Sequence, residues 1–356
     1  MKIAVAMSGG VDSSVAAFLM KSRGHDVVGL TMDIWSCRNR AQVDPRVCCG
    51  PEAIRDAARV AEALGIRHSI VDLRRAFEDR VVGPFVSEYA SGRTPNPCVL
   101  CNRHVKFGAL LAKAAAVGAT HLATGHHAAV GGSSDGGGRF TLTRAKDRLK
   151  DQTYFLYALT QEELGRVLMP VGELSKDEVR QCARDAGLHV AERAESQDLC
   201  FIPGGDLASF LASRVPTALR PGPIEDLSGT VVGEHAGIAL YTVGQRGGLG
   251  LSRPRATYVL RIDAARNALV VGDEGDLRAR GLVADELTWI AGTPPGGTFR
   301  ACAKIRYASP AAVCEVELSG GRARVTFDVP QRAVAPGQAI VFYDGEIVLG
   351  GGTIRA

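Results

Sequence analysis

The sequence predicts an α/β protein built from an N-terminal parallel-sheet domain, a small central domain and a C-terminal antiparallel β-barrel. Apolar strands alternate with helices up to about residue 207, a pattern typical of a parallel sheet covered on both faces. Glycine and proline become frequent from residue 208. After Gly281 short strands follow one another with turn signals between them, which indicates a small barrel. We therefore predict domains at residues 1–207, 208–280 and 281–356.

The composition is that of an ordinary globular chain. The 356 residues are 46% hydrophobic and 22% charged, which excludes intrinsic disorder. No apolar run approaches the roughly 20 residues that span a bilayer, and MKIAVAMSGG lacks the pattern of a signal peptide. Nine cysteines without a secretory signal favour a reducing compartment. We expect a cytoplasmic protein without a membrane partner, whose net charge of +4 permits binding to a polyanion.

The elements of the first domain follow from apolar spacing and from helix caps. Pro51 begins a helix that Gly65 ends, and Ser175 with Glu178 fits a capping box. A hairpin with its tip at Asp135–Gly138 joins Ala128–Val130 to Phe140–Thr143. The predicted strands are Lys2–Met7, Asp26–Trp35, His68–Leu73 and Thr120–Gly125, and the predicted helices are Asp12–Arg23, Pro51–Leu64, Asn102–Val117 and Ser175–Ala186.

The last two domains read as strands almost throughout. Alternating runs predict strands in the central domain at Gly229–Val232, Ala256–Ile262 and Ala268–Val271. Short runs bounded by turn residues predict the barrel strands Leu287–Ile290, Phe299–Ile305, Ala312–Leu318, Arg322–Phe327, Ala339–Tyr343 and Glu346–Gly350.

The segment Ser8–Ser14 (SGGVDSS) lies between the first strand and the first helix. Its glycines let backbone amides approach an anion, and the helix N-terminus adds free N–H groups. The serines supply hydroxyl donors, and Asp12 can hold Mg²⁺ beside phosphates. Neither GxxxxGK[ST] nor GxGxxG is present here; a plain capped turn is the alternative. The segment resembles the PP-loop of ATP pyrophosphatases, which implies that ATP is cleaved between its α and β phosphates.

Further motifs narrow the resemblance. They are GRTPNPCVLCNRHVKF at Gly92–Phe107, GHHA at Gly125–Ala128, DQTYFL at Asp151–Leu156, SQDLCFIP at Ser196–Pro203, YTVGQRGGLG at Tyr241–Gly250 and PGQAIVFYDGEIVLGGG at Pro336–Gly352. In this order, over essentially the whole chain, they resemble the tRNA-specific 2-thiouridylase family. The resemblance implies that the 2-oxygen of the wobble uridine is adenylated by ATP and replaced by sulfur. It also implies two partners: the anticodon stem-loop of tRNA, and a sulfur donor, either a relay protein or a cysteine desulfurase.

The resemblance assigns binding residues position by position. For ATP it implies Ala6, Met7, Ser8, Gly9, Gly10, Val11, Asp12, Ser13, Met32 and Gly125. For tRNA and the target base it implies Asn96, Pro97, Cys98, His126, Lys150, Asp151, Gln152, Arg306, Tyr307 and Gln338. From the residues alone, Met32 could be a core residue, His126 and His127 a hydrogen-bonded structural pair, and Tyr307 a cross-strand packing residue. The cations Arg139, Arg144, Lys146, Arg148 and Lys150 favour contact with RNA phosphates over a merely solvated face.

Two distant cysteines fit the chemistry of thiolation. A thiolate can carry a persulfide, and a second thiol can release the sulfur by forming a disulfide. The resemblance implies that Cys200 carries the persulfide and that Cys101 is the nucleophile that resolves it. Cys101 is predicted to lie just before a helix, whose dipole would lower its pKa. Cys182, Cys302 and Cys314 read as small buried residues, and Cys48 and Cys49 as loop residues without an assigned role.

Cys98 departs from the family pattern, since many members have Asp at this position. The change creates Cys98-Val-Leu-Cys101, and with Cys200 it provides three thiolates that suit a [4Fe–4S] cluster with one open iron, or an incomplete zinc site. A redox pair or a space-filling Cys98 are the alternatives. Two other functions also stay open at this point. One is an amide- or ligation-type synthetase that uses the same adenylation, and the other is a non-catalytic RNA-binding protein with a structural metal.

Overall fold

A computed structural model describes residues 1–34, 50–132, 138–194, 199–252 and 255–355. Its first domain contains a five-stranded parallel sheet with the order β3-β2-β1-β4-β7. The elements in chain order are β1 Lys2–Ala6, α1 Val11–Ser22, β2 Asp26–Asp33, α2 Pro51–Ala63, β3 Arg67–Asp72, α3 Arg74–Phe77, α4 Gly83–Ala90, α5 Pro97–Leu100, α6 Leu111–Ala116, β4 His121–Ala123, β5 Ala128–Gly132, β6 Phe140–Arg144, α7 Gln161–Leu164, β7 Val167–Leu168, α8 Lys176–Asp185 and α9 Leu207–Arg214. The predicted α/β class is confirmed.

The central strand β1 shows why this sheet is covered on both faces. Ile3 and Val5 pack into one hydrophobic cluster with residues of α1, α2 and α8. Ala4, which points the other way, packs into a second cluster with residues of α4 and the helix around Val105. A strand that is buried on both sides reads as a continuous apolar run, which is how the sequence identified it.

The predicted hairpin β5–β6 forms, but it leaves the parallel sheet. β6 continues the sheet of the C-terminal barrel, where Thr143 pairs with Ile347. Most of the tip at Asp135–Gly138 lies outside the described residues, as do Cys48, Cys49 and Ser196–Asp198. The hairpin thus ties the first domain to the barrel.

The central domain is a four-stranded sheet with the order β10-β11-β8-β9. Its strands are β8 Gly222–Glu225, β9 Val231–His235, β10 Tyr258–Asp263 and β11 Ala268–Gly272. Antiparallel pairs join β8 to β9 and β10 to β11, whereas β11 and β8 run parallel.

The C-terminal domain is a closed antiparallel barrel of six strands. The order is β12-β15-β14-β13-β16-β17, and β12 also pairs with β17. The strands are β12 Arg278–Trp289, β13 Thr298–Lys304, β14 Ala312–Ser319, β15 Arg322–Arg332, β16 Ala339–Asp344 and β17 Ile347–Ile354. β12 begins before residue 281 because a bulge between Ala279 and Gly281 carries the strand across the glycine. Within the described ranges, no helix is long and apolar enough to cross a membrane.

Candidate active site

The SGGVDSS turn is held by hydrogen bonds between its own residues. The Ser8 backbone N–H donates to Ser13 Oγ at 3.2 Å, and Ser13 Oγ donates to the Gly10 carbonyl at 3.0 Å. Gly9 has a φ of +72°, and a Cβ there would lie 2.3 Å from the carbonyl oxygen of Ala53 at the start of α2. Gly9 therefore meets both a backbone requirement and a packing requirement. The turn thus leads directly into the N-terminus of α1, where backbone N–H groups favour an anion.

Asp12 lies in the first turn of α1 between two basic side chains. Lys176 Nζ donates to its two carboxylate oxygens at 2.7 and 2.8 Å, and His127 Nε2 lies 3.2 Å from Oδ1. Burial alone would raise the pKa of Asp12, but the His127 hydrogen bond and the Lys176 ammonium outweigh it and lower the pKa. Asp12 is therefore ionised at neutral pH.

Two further contacts fix the position of the loop. A Cβ at Gly125 would lie 2.5 Å from Ser13 N, so only glycine lets the end of β4 approach α1 this closely. Arg193 Nη1 donates to the Gly9 carbonyl at 3.2 Å and also pairs with Asp56 of α2. The loop is thus held from the sheet side and from the α2 side.

The remaining predicted ATP residues are apolar and largely buried. Met7, Val11 and Met32 are buried, Ala6 is half-buried, and Met32 packs into the core cluster on one face of the sheet. The Met7 backbone N–H donates to the Leu30 carbonyl, and Thr31 Oγ1 donates to the Met7 carbonyl at 2.8 Å. These contacts fix the end of β1 against β2, and direct contact with ATP stays a prediction.

The helix that carries the cysteines begins earlier than predicted. It starts at Pro97, after the extended residue Asn96, and not at Asn102. Proline at the first helical position has no N–H to leave unpaired, which explains the early start. Cys98 is therefore an exposed residue of the first turn, and Cys101 lies a full turn inside the helix, half-buried, so the placement of Cys101 just before the helix is wrong. The segment Cys101–Leu110 has π-helical hydrogen bonding, which is frequent at functional sites.

Cys200 lies in a separate loop, at the edge of the same core cluster that Cys101 packs against. Both thiols are half-buried. In the part of the chain that the structure describes, no three His, Cys, Asp or Glu side chains are grouped to hold a metal. Cys98, Cys101 and Cys200 are therefore not arranged as cluster ligands in this structure. Of the other three predicted buried cysteines, Cys314 is buried, whereas Cys182 and Cys302 are half-buried.

The two histidines after β4, His126 and His127, make different contacts. His126 is buried, with Nδ1 2.8 Å from Thr124 Oγ1 and Nε2 3.3 Å from Lys106 Nζ. Burial, reinforced by the Lys106 charge, holds the pKa of His126 well below its usual value, so the ring is neutral. His127 is also buried but contacts Asp12, so His127 is the histidine that contacts the nucleotide loop.

The segment predicted to contact tRNA, Lys150–Gln152, is anchored from inside. The buried carboxylate of Asp151 accepts hydrogen bonds from Thr153 and from the Ala145 backbone. Gln152 holds His127 twice: its Oε1 accepts from the His127 N–H, and its own N–H donates to the His127 carbonyl, both at 2.9 Å. Asp151 and Gln152 thus position this segment, and their contact with tRNA stays a prediction.

Several of the cations between Arg139 and Lys150 already have partners within the protein. Lys146 Nζ lies 2.9 Å from the Glu178 carboxylate, and Arg148 pairs with Glu346. The Arg144 guanidinium lies over the Tyr343 ring at 4.1 Å. A surface with this many internal ion pairs offers less free positive charge than the sequence indicates.

Three barrel residues predicted to contact tRNA lie at the junction of the domains. Arg306 donates to the carbonyls of Val243 and Ala333, which links the central domain to the barrel. Gln338 Nε2 donates to the Thr94 carbonyl at 2.9 Å. Tyr307 is 38% exposed and packs against Phe155 of the DQTYFL segment in a tilted arrangement, with ring centroids 4.6 Å apart.

Thr94 shows how the cysteine helix is positioned. Its backbone N–H donates to the Pro336 carbonyl at 2.8 Å, and its hydroxyl donates to Thr242 at 3.1 Å. A Cβ at Gly337 would lie 2.9 Å from the Thr94 backbone. All three domains therefore meet at Thr94, just before the helix that carries Cys98 and Cys101.

Sequence reasoning missed Lys176, Arg193 and Thr94. Lys176 offered one signal: it is the first residue of a helix whose dipole disfavours a cation, and such a lysine indicates a nearby anionic group. Arg193 and Thr94 gave no signal, because their partners are distant in sequence.

Comparisons with known proteins agree with this architecture. The family model described as the tRNA methyl transferase HUP domain matches residues 1–204. The models described as the tRNA methyl transferase PRC-barrel domain and the aminomethyltransferase beta-barrel domain match residues 208–273 and 279–354.

Curated relatives match over nearly the full length of the chain. The tRNA-specific 2-thiouridylase MnmA of Moorella thermoacetica is 46% identical over 353 residues, 99% of both chains. Those of Symbiobacterium thermophilum and Geobacter metallireducens are each 47% identical, over 99% and 100% of this chain and 92% and 97% of theirs. With these relatives over nearly its whole length and family models matched in all three domains, this chain belongs to the tRNA-specific 2-thiouridylase family.

Proposed function

We propose that this chain is a tRNA-uridine 2-sulfurtransferase that adenylates the 2-oxygen of the wobble uridine with ATP and replaces it by sulfur from a persulfide on Cys200. One observation carries the proposal: the segment Asp151–Leu156 is linked through His127 to the nucleotide loop and also contacts the helix that carries Cys101. Gln152 holds His127, which contacts Asp12 of the nucleotide loop. Phe155, in the same segment, accepts a hydrogen bond at 3.1 Å from Asn102, the neighbour of Cys101.

The first step activates the uridine. Its 2-oxygen attacks the α-phosphorus, the bond from that phosphorus to the β-phosphate oxygen breaks, and pyrophosphate leaves with the electron pair. The backbone amides of Gly9 and Gly10 and the N-terminus of α1 supply the positive field that this leaving group requires. When Mg²⁺ is bound it neutralises phosphate charge. Asp12 would hold it, since this ion usually takes one or two carboxylates plus phosphate oxygens.

The second step transfers sulfur. The terminal sulfur of the Cys200 persulfide attacks C2 of the activated base, and AMP leaves with the former 2-oxygen. The Cys101 thiolate then attacks Cys200 Sγ and the S–S bond breaks, which leaves the sulfur on C2 and a Cys101–Cys200 disulfide. An external thiol reduces this disulfide, and a donor protein reloads Cys200. A cluster held by Cys98, Cys101 and Cys200 is the alternative sulfur source, but we derive no step through it, because these thiols are not grouped as ligands.

The surface that we propose for tRNA binding lies beside the segment Asp151–Leu156. The exposed Tyr307 packs against the half-buried Phe155, and Lys304 Nζ lies 5.5 Å from the centre of the Tyr307 ring. Aromatic rings next to a cation stack unpaired bases, which is how single-stranded RNA is usually recognised. We place the anticodon loop on this pair, with the phosphates of its stem near Lys150.

The test is single-turnover modification of tRNA by protein loaded with persulfide. We expect ATP-dependent 2-thiouridine at the wobble position by mass spectrometry, with pyrophosphate and AMP as products. Cys200→Ser should lose thiolation and keep tRNA-dependent pyrophosphate release, because adenylation does not use the thiol. Cys182→Ser, a change in a half-buried cysteine on α8, is the matched control and should behave as wild type.

The same experiment distinguishes the alternative functions, because each predicts a different result. A methyl group added in place of a sulfur, or pyrophosphate release with ammonia or an amino acid as the required acceptor, would overturn the proposal. Binding of tRNA without pyrophosphate release would indicate a non-catalytic RNA-binding protein. Iron in the anaerobically purified protein, lost together with activity in Cys98→Ala, would replace the persulfide with the cluster as the sulfur source.

A further inference from the structure

The lysine at the start of α8 occupies an electrostatically unfavourable position. Lys176 is buried, with a side chain only 10% exposed, and its Nζ donates to both carboxylate oxygens of Asp12. It is the first helical residue, where the helix dipole opposes a positive charge. Taking an ammonium group out of water costs further free energy. A position this unfavourable needs a functional reason.

The helix itself does not need this lysine. Ser175 and Glu178 already form a complete capping box, in which each side chain bonds the backbone N–H of the other residue. Lys146 supplies the cation that pairs with Glu178. Removing the charge of Lys176 would therefore relieve the dipole penalty without disturbing the cap.

The nucleotide loop does need a cation. The segment Ser8–Ser14 contains no Lys or Arg, and its charged residue Asp12 is negative. ATP brings several negative charges to this segment, and pyrophosphate departure concentrates them on the β and γ phosphates. On the far side of Asp12, the buried His127 has an Nδ1 atom without a hydrogen-bond partner among the described residues. The polar groups around Asp12 are thus not saturated by one another.

We infer that Lys176 is the phosphate-binding cation of this loop: it contacts the β and γ phosphates of ATP and stabilises pyrophosphate as it leaves. This role rests on the proposed adenylation. Asp12 would hold a divalent cation that offsets its charge, and the Lys176 ammonium would then turn from Asp12 to a phosphate oxygen. When the bond between the α-phosphorus and the β-phosphate oxygen breaks, Lys176 donates a hydrogen bond to the departing oxygen and keeps its proton.

The test compares nucleotide affinities in the absence of tRNA. Lys176→Met keeps the length of the side chain and removes its charge, and Lys146→Met is the control on an exposed lysine beside the same helix. By isothermal titration with Mg²⁺ present, we expect Lys176→Met to weaken ATP and pyrophosphate binding by roughly tenfold or more and to leave AMP binding unchanged. Lys146→Met should leave all three affinities unchanged, and Lys176→Arg should keep part of the ATP affinity.

Three results would overturn the inference. Equal weakening of AMP and ATP would mean that Lys176 only holds the loop in shape. Unchanged ATP affinity would mean that it has no role at the phosphates. If Lys176→Met does not fold because Asp12 is left buried without its cation, Asp12→Asn is compared with the double variant Asp12→Asn/Lys176→Met. The double variant should bind ATP more weakly than the single one, and equal affinity would contradict the inference.

The outcome is separable from that of the proposed function. A wild-type protein that binds ATP but makes no thiolated tRNA contradicts the proposed function. The comparison of ATP with AMP still decides the role of Lys176, because no tRNA or sulfur donor is present in the titration.

Discussion

The nucleotide half and the sulfur half of the site are built in different ways. In the nucleotide half, Ser8, Gly10 and Ser13 bond one another across at most five residues of sequence. In the sulfur half, Thr94 before the cysteine helix is held by Thr242 of the central domain and by Pro336 and Gln338 of the barrel region. The turn of the nucleotide half is closed by local bonds and is held in place by side chains of the first domain, such as Lys176 and Arg193, whereas the sulfur half is positioned only when three domains are assembled.

This difference determines how each half should respond to change. A substitution in the loop should act on ATP chemistry whatever the barrel does. A substitution at the domain junction should act on sulfur transfer and leave adenylation nearly intact. The two halves meet at Gln152 and His127, which connect the DQTYFL segment to Asp12.

The largest expected effect is that of Asp12→Asn. Removing the carboxylate charge takes away the anchor for a divalent cation and leaves Lys176 without its buried partner. We expect tRNA-dependent pyrophosphate release to fall by roughly a thousandfold. Persulfide formation on Cys200, measured by alkylation and mass spectrometry, should stay at the wild-type level. The control is Asp26→Asn, on an exposed carboxylate at the start of β2. A parallel loss of persulfide would show that the halves are not separable.

The next effect is that of Gly9→Ala against Gly10→Ala. At Gly9 the new methyl group meets the Ala53 carbonyl at 2.3 Å in a left-handed backbone, whereas at Gly10 the nearest atom, Ser8 Oγ, is 3.6 Å away. We expect Gly9→Ala to lower the free energy of unfolding by about 2–4 kcal/mol. Gly10→Ala should cost less than about 1 kcal/mol. Urea denaturation measures both, and equal losses would mean that α2 does not pack against the loop in solution.

The same contrast explains what the sequence could predict. The loop, the capping box at Ser175 and the parallel sheet depend on neighbours along the chain, so residue types and spacing were sufficient. The position of Cys101 was predicted wrongly because Pro97 starts the helix earlier than the apolar pattern indicates. The partners of Thr94 and Lys176 could not be identified, although Lys176 had a signal in its place at the start of α8, because Thr242 and Asp12 are brought to them only by the tertiary fold.

A smaller effect is expected for Gln338→Ala at the domain junction. The variant loses the bond from Nε2 to the Thr94 carbonyl, worth about 1 kcal/mol, and loosens the start of the cysteine helix. We expect the rate of sulfur transfer to fall roughly tenfold, since small displacements of reacting groups are costly, and pyrophosphate release to change little. Gln331→Ala is the control, because its side-chain amide donates to the carbonyl of Val329, two residues away in the same strand.

The opposite pattern would assign Gln338 a different role. If Gln338→Ala raised the KM for tRNA and left the rate at saturating tRNA unchanged, the side chain would contact RNA directly, as the family resemblance implies. The split between KM and kcat therefore decides between a positioning residue and a tRNA contact.

The smallest effect concerns the pH dependence of stability that His126 adds at the end of β4. Burial beside Lys106 lowers the pKa of His126 well below 6.5, so the native protein does not take up this proton where the unfolded chain does. The stabilisation is complete above pH 6.5 and is lost as the pH falls toward the native pKa, with a slope of at most about 1.4 kcal/mol per pH unit.

His126→Gln should therefore show a shallower loss of unfolding free energy than wild type between about pH 7 and pH 5, measured by urea denaturation. Lys106→Met, which removes the nearby charge and raises the pKa of His126, should reduce the slope by less. A wild-type slope in His126→Gln would mean that His126 takes up a proton equally in the native and unfolded states, and that its burial beside Thr124 does not exclude charge.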